Sequence, residues 1–167
     1  YNDLINSLAD LAATVSEGCE AIGLEQMYTP HQIPWTINGA SALMQEVYKK
    51  AGAPLYMTID TGHQSGQRKF PRPETQVLQD VINMFRRGKK TKGVWYGPEI
   101  VIQMLQEGAK KQASEDAKTL DEINKTLDKF PYLFASSSDG DTYKWLEELG
   151  AYSPIIHLQQ TDGSKSA

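Results

Sequence analysis

Apolar and polar positions alternate with a period of two in three short stretches of the chain, and with a helical period across most of the remainder. In residues 54–63, Leu55, Met57 and Ile59 fall on one face, and Tyr56, Thr58 and Asp60 on the other, the alternation of a pleated strand. Gly52 and Pro54 punctuate its start, and Gly62 and Gly66 its end. Residues 19–25 set Ala21, Gly23 and Glu25 against Ile22 and Leu24. Residues 154–159 set Ile155, His157 and Gln159 against Ile156 and Leu158.

Leu4, Ile5, Leu8, Leu11, Ala12 and Val15 predict an amphipathic helix over 2–17, with Gly18 as its stop. A second helix is expected over 38–50, with Leu43, Met44, Val47 and Tyr48 inward and Gly52 beyond its end. Val77, Leu78, Val81, Ile82 and Phe85 mark a third. A longer helical stretch runs from Pro98, expected as a first helical residue, through Leu120, Ile123 and Leu127. Residues 132–135 suggest a short strand, and 142–149 a short helix ending at Gly150. Helices alternating with strands give a parallel sheet. The expected class is therefore α/β, one domain over 1–167 with a helical insertion at about 64–131.

Each of the three strands carries a ligand-type side chain near its C-terminal end: Glu25, Asp60 and His157. If the strands are parallel neighbours, these groups converge at the rim where α/β folds collect their function. Taken singly, Glu25 suits a solvated strand end and His157 a satisfied core histidine; taken together they point to a metal site. Carboxylates with an imidazole and no cysteine cluster suit Mn²⁺, Mg²⁺, Co²⁺ or Zn²⁺. His63, three residues after Asp60, suits a metal ligand, a hydrogen-bond donor to a substrate or a loop residue, and is expected as a substrate contact; Gln159, on the face of His157, suits a substrate contact or a support for the metal ligands. His31, in the Pro- and aromatic-rich loop 27–36 above Glu25, suits substrate contact or loop packing alike. Arg68 and Lys69 suit either a phosphate contact or a solvated loop.

Composition narrows the classes. With 40% hydrophobic and 23% charged residues the chain is that of an ordinary globular domain, and a net charge of −4 argues against a dedicated nucleic-acid binder. Lys and Arg concentrate in residues 86–92, expected as a solvated turn. No apolar run reaches bilayer length and the first residues lack a signal-peptide layout. The single Cys19 excludes an intrachain disulfide and fits a cytoplasmic setting; it is expected as a small core residue. The start and finish are abrupt: the expectation is either a piece of a longer protein or ends set only by the bounds of this sequence.

Leu24-Glu25, the stretch Ile59-Asp60-Thr61-Gly62-His63 and Ile156-His157-Leu158 resemble the xylose-isomerase-like TIM-barrel superfamily of sugar isomerases and epimerases. Residues 28–35 and 157–163 are similar to its sugar-phosphate members, among them the erythrulose-phosphate 3-epimerases. The resemblance covers residues 1–63 and 139–163. It implies the C-terminal half of a (β/α) barrel, about strands five to seven, interrupted by a helical insertion longer than is usual there. It implies Glu25, Asp60 and His157 as metal ligands, Glu25 also as an acid/base group, and His63 as a substrate contact. The implied chemistry is isomerisation or epimerisation of a ketose or ketose phosphate through a metal-stabilised enediolate. The second acid/base glutamate belongs to an eighth strand that this sequence lacks. The expected partner is a small sugar or sugar phosphate, with neither nucleic acid nor membrane; a homo-oligomer is compatible. Two alternatives share the pattern: metal-dependent phosphodiester cleavage like that of AP endonucleases, and a non-catalytic interaction module with a degraded metal site.

Overall fold

A computed structural model describes residues 1–15, 19–91 and 93–159 of the chain. The Gly18 stop, Lys92 of the basic run and residues 160–163 of the resemblance lie outside the described residues. The chain divides into two compact units, one of Tyr1–Arg68 with Ala135–Ala167 and one of Lys69–Phe134.

The first unit holds strands β1 (Gly23–Glu25), β2 (Tyr56–Asp60) and β3 (Ile155–His157), paired in parallel in the order β1-β2-β3. Helix α1 (Asn2–Ala13) precedes β1, and α2 (Ile37–Ala51) joins β1 to β2. The short α3 (His63–Gln67) follows β2, and α7 (Thr142–Leu149) leads through a 3-10 turn to β3. The register sets Leu24 beside Met57 and Ile59 beside Ile156, so these four share one face. On that face Leu24 meets the apolar sides of α1 and α2, while Met57 and Ile59 pack on Ile37 and Ala40 of α2 and on Trp145 and Leu149 of α7. The three helices therefore cover a single face. Gly23, Glu25, Tyr56, Thr58, Asp60, Ile155 and His157 occupy the other. The sheet is wound in one direction only, each strand beside the one before it.

Local chemistry fixes the helix ends. Thr36 accepts from the Gly39 N–H at 3.1 Å to start α2, and Gly52, at φ 66°, ends it in the left-handed region that glycine enters without strain. The buried Asp139 adds a second restraint: it accepts from the Ile37 N–H at 2.7 Å and from the N–H and hydroxyl of Ser136, each at 2.7 Å. Its carboxylate thus sits at the positive end of α2. Trp145, fully buried, donates its indole N–H to the Asp139 carbonyl at 2.7 Å.

The second unit contains α4 (Thr75–Arg86), α5 (Glu99–Lys110) and α6 (Asp116–Leu127) around its own core of Leu78, Ile82, Val101, Leu105, Ile123 and Leu127. The single stretch expected from Pro98 onward is two helices. Gly108 near the end of α5 lies so close to Thr119 of α6 that a Cβ there would sit 2.8 Å from its methyl. Arg86 is no solvated turn residue. It forms hydrogen bonds to both Asp116 oxygens, at 2.5 and 3.0 Å, and Gln79 donates to the same carboxylate at 2.8 Å. Arg87, Lys89 and Lys90 are exposed.

Three further expectations are corrected. Pro98 stands just before α5, which begins at Glu99. Residues 132–135 form no strand; Pro131–Leu133 is a 3-10 turn, started by a proline whose φ is already set for it. Cys19 is exposed, because β1 hydrogen-bonds to β2 only from the Ile22 carbonyl onward and the preceding residues lie outside the sheet.

Hydrogen bonds from Arg86 hold the Asp116 carboxyl below its ordinary value of 3.8. A carboxyl depressed in the folded state contributes stability above that value and loses it as the pH falls through and below it. Asp116→Asn should therefore lower the thermal midpoint at neutral pH, and the gap from the parent protein should close on acidification below 3.8. Calorimetric scans across that range check it.

Candidate metal centre

Glu25, Asp60 and His157 are the last residues of β1, β2 and β3. Asp60 is the register partner of His157, and Glu25 is the partner of Thr58, one residue pair below Asp60 on the same face. Parallel pairing thus converts three positions far apart in sequence into one cluster. The His157 Nδ1 lies 3.6 Å from Glu25 Oε1 and 3.7 Å from Asp60 Oδ2, and one ligand atom from each residue falls within 4.8 Å of the others. The Glu25 and His157 side chains are 45 and 48% exposed, whereas Asp60 is fully buried.

The Asp60 carboxylate is unevenly provided for. Its Oδ1 accepts from the Gly62 N–H at 2.8 Å, while Oδ2 is buried with no hydrogen-bond partner. A buried carboxylate oxygen without a donor is costly, by several kcal/mol where nothing compensates it. A cation would meet that need, and two carboxylates with an imidazole are donors that suit Mn²⁺, Mg²⁺, Co²⁺ or Zn²⁺. Neighbouring donors about 2.1 Å from a shared ion lie roughly 3.0–3.4 Å apart. The 3.6 and 3.7 Å separations from His157 need close by only a few tenths of an ångström, whereas the pair of acids, within 4.8 Å, has further to come.

Around this trio the chain builds a hydrogen-bonded floor that periodicity did not reveal. Gln26, Gln64 and Gln67 are all buried. Gln26 Oε1 accepts from Gln64 Nε2 at 3.0 Å and from the Asp60 N–H at 3.4 Å. Gln67 Nε2 donates to the carbonyls of Met27, at 3.2 Å, and Trp35. The loop 27–36 is also tied across its base, where the Met27 N–H donates to the Pro34 carbonyl at 2.7 Å. The only signal in the sequence is the run of amides itself: Gln26 follows Glu25, and Gln64 and Gln67 stand one helical turn apart after Asp60.

His63 opens α3 rather than lying in a loop, with Nε2 4.0 Å from Asp60 Oδ2 and its ring 4.9 Å from that of Tyr28. Gln159 is set beside the cluster by a reciprocal pair with Thr61: the Thr61 hydroxyl donates to the Gln159 carbonyl at 3.2 Å and accepts from its N–H at 3.0 Å. Its side chain lies over Gly62. Arg68 donates Nε–H to the Gly140 carbonyl at 2.8 Å. His31 is exposed on its loop and is not one of the converging donors.

Comparison with protein-family models, curated proteins and solved structures finds no match to this chain.

Gly62 is where a methyl group should do local damage. Its φ of −74° suits any residue, but a Cβ would lie 2.8 Å from Gln159 Oε1, 2.9 Å from Gln159 Cβ and 3.2 Å from Asp60 Oδ1. Gly62→Ala should cost about 1–3 kcal/mol through overpacking. Adding Gln159→Gly should recover part of that loss, which a double-mutant cycle in denaturant measures.

Proposed function

We propose that the three strand ends form the divalent-metal site of a ketose or ketose-phosphate isomerase or epimerase, built on part of a (β/α) barrel of the xylose-isomerase-like type. The observation that carries the proposal is the convergence of Glu25, Asp60 and His157 at the C-terminal ends of three neighbouring parallel strands. The fold supports it twice. Each strand lies beside its predecessor with α1, α2 and α7 on one face, an arrangement that a barrel sector also has. On β3, Ile155 and Ile156 are 54 and 43% exposed on opposite faces, an edge suited to continuation by a further strand.

A bound divalent ion would polarise a ketose carbonyl and ease loss of the proton on the neighbouring carbon. The protein supplies the rest. Asp60, fixed by Gly62 and shielded from water, holds its carboxylate at a constant position. His157 stands between both acids. Glu25, half exposed at the rim, is placed to take a proton from a bound ketose and return it. All three groups lie on one face of the sheet. A one-face proton transfer between adjacent carbons, as in isomerisation, needs no more; epimerisation needs a second group facing the opposite side of the substrate.

Two experiments test the reading. Chelator-treated protein titrated with Mn²⁺ or Zn²⁺ should bind about one ion per chain, and Asp60→Asn or His157→Ala should weaken binding by about 100-fold or more while the far-UV circular dichroism stays unchanged. Stoichiometric metal in both variants would sink the assignment. Incubation of ketoses and ketose phosphates in D₂O should place deuterium beside the carbonyl. Glu25→Gln should slow this exchange by about 10²–10⁴-fold, as followed by proton NMR.

A further inference from the structure

We infer that Gln26 is the positioning residue of the strand-end cluster: it grips β2 at two points and so fixes how far Glu25 stands from Asp60. It acts through the two acids and not on a ligand itself. The inference rests on the proposed reading only for the presence of an ion.

Gln26 directly follows the acid that ends β1, and it is fully buried. Its main-chain N–H donates to the Thr58 carbonyl at 2.9 Å, which carries the pairing of β1 with β2 one residue past the strand. Its side chain then reaches along β2, where Oε1 accepts from the Asp60 N–H at 3.4 Å. These two holds bracket Ile59 and restrain the end of β1 from sliding along β2 or splaying from it. Gln64 of α3 locks the amide by donating Nε2–H to the same Oε1 at 3.0 Å, and its own Oε1 accepts from the Thr142 hydroxyl at 3.4 Å. Turning the Gln26 amide over would set its NH₂ group against two donors, so its orientation follows from its partners. That orientation leaves Gln26 Nε2 buried and bare. An apolar side chain of the same shape would avoid that cost and lose the hold on Asp60. The consequence falls on one distance. His157 Nδ1 is 3.6 and 3.7 Å from the two acids, while the acids, within 4.8 Å of each other, are the pair whose spacing the join of β1 to β2 decides. Groups that orient metal ligands in this way are worth about 10–100-fold in metal affinity.

Mn²⁺ titration calorimetry and amide hydrogen exchange, both on chelator-treated protein, test this. Gln26→Met keeps the bulk and removes the acceptor. It should weaken Mn²⁺ binding by about 10–100-fold and speed exchange of the Asp60 N–H, with the far-UV circular dichroism of the parent. Gln26→Glu, which returns an acceptor oxygen, should restore slow exchange at Asp60. Val47→Ala opens a cavity between α1 and α2, toward the starts of the strands. It should lower the thermal midpoint and leave both Mn²⁺ affinity and the Asp60 amide as they are. If Gln26→Met fails to fold, Gln26→Asn, a methylene too short to reach Asp60, is read in the same way. Unchanged Mn²⁺ affinity in the Gln26 variant, or an equal loss in Val47→Ala, would overturn the inference. If the parent protein binds no Mn²⁺, the metal reading falls and exchange decides alone. A faster Asp60 amide in Gln26→Met but not in Val47→Ala then keeps Gln26 as the clamp of the two strand ends, and an unchanged one overturns it.

Discussion

A carboxylate taken wholly out of water, with one of its oxygens left without a donor, is the constraint on which the first unit depends. Asp60 ends the central strand, and burial there would be unfavourable for any isolated charge. The Gly62 N–H lessens that cost at one oxygen; the other faces imidazole nitrogens at 3.7 and 4.0 Å, beyond hydrogen-bond reach. A cation at the strand ends would supply the remaining compensation. An ion that bound only the folded chain would also hold it folded, and would link stability to binding at this residue.

The sheet delivers the other two groups by geometry alone. With side chains alternating along each strand and neighbours in parallel register, Glu25 and His157 have no choice of face once Leu24, Met57 and Ile59 are committed to the helices. The same commitment explains why Asp139 and Trp145 matter far from the rim. Asp139 anchors the start of α2 while Trp145 fills the space between α2, α7 and β2, so the helical layer that fixes the face is itself fixed.

How much of this was legible in the sequence depended on whether a residue's role followed from periodicity. The alternation around Met57 and Ile59 located the central strand and its acid, and the helical spacing located α2 and α7 within a residue. The convergence of Glu25, Asp60 and His157 followed from the strand ends. Cys19 did not follow, because β1 is cut short by its hydrogen-bonding partner and not by its own pattern. Arg86 was read as part of a basic run, yet its place is decided by Asp116, thirty residues away in the chain. The buried Gln26, Gln64 and Gln67 are not visible for the same reason: each is held by a tertiary partner on at least one amide atom, and no spacing rule announces those partners.

The hydrogen bond from Arg68 to the Gly140 carbonyl clasps the chain just before it departs for Lys69–Phe134 against the loop just after it returns. The clasp lies within the first unit and keeps the two ends of that long excursion together. Closing a loop costs entropy that grows only with the logarithm of its length. With the ends already joined, lengthening or shortening the excursion changes little for the strands that carry Asp60 and His157. Evolution could thus enlarge, trim or replace the helical unit as a graft, with the strand-end rim left to its own selection.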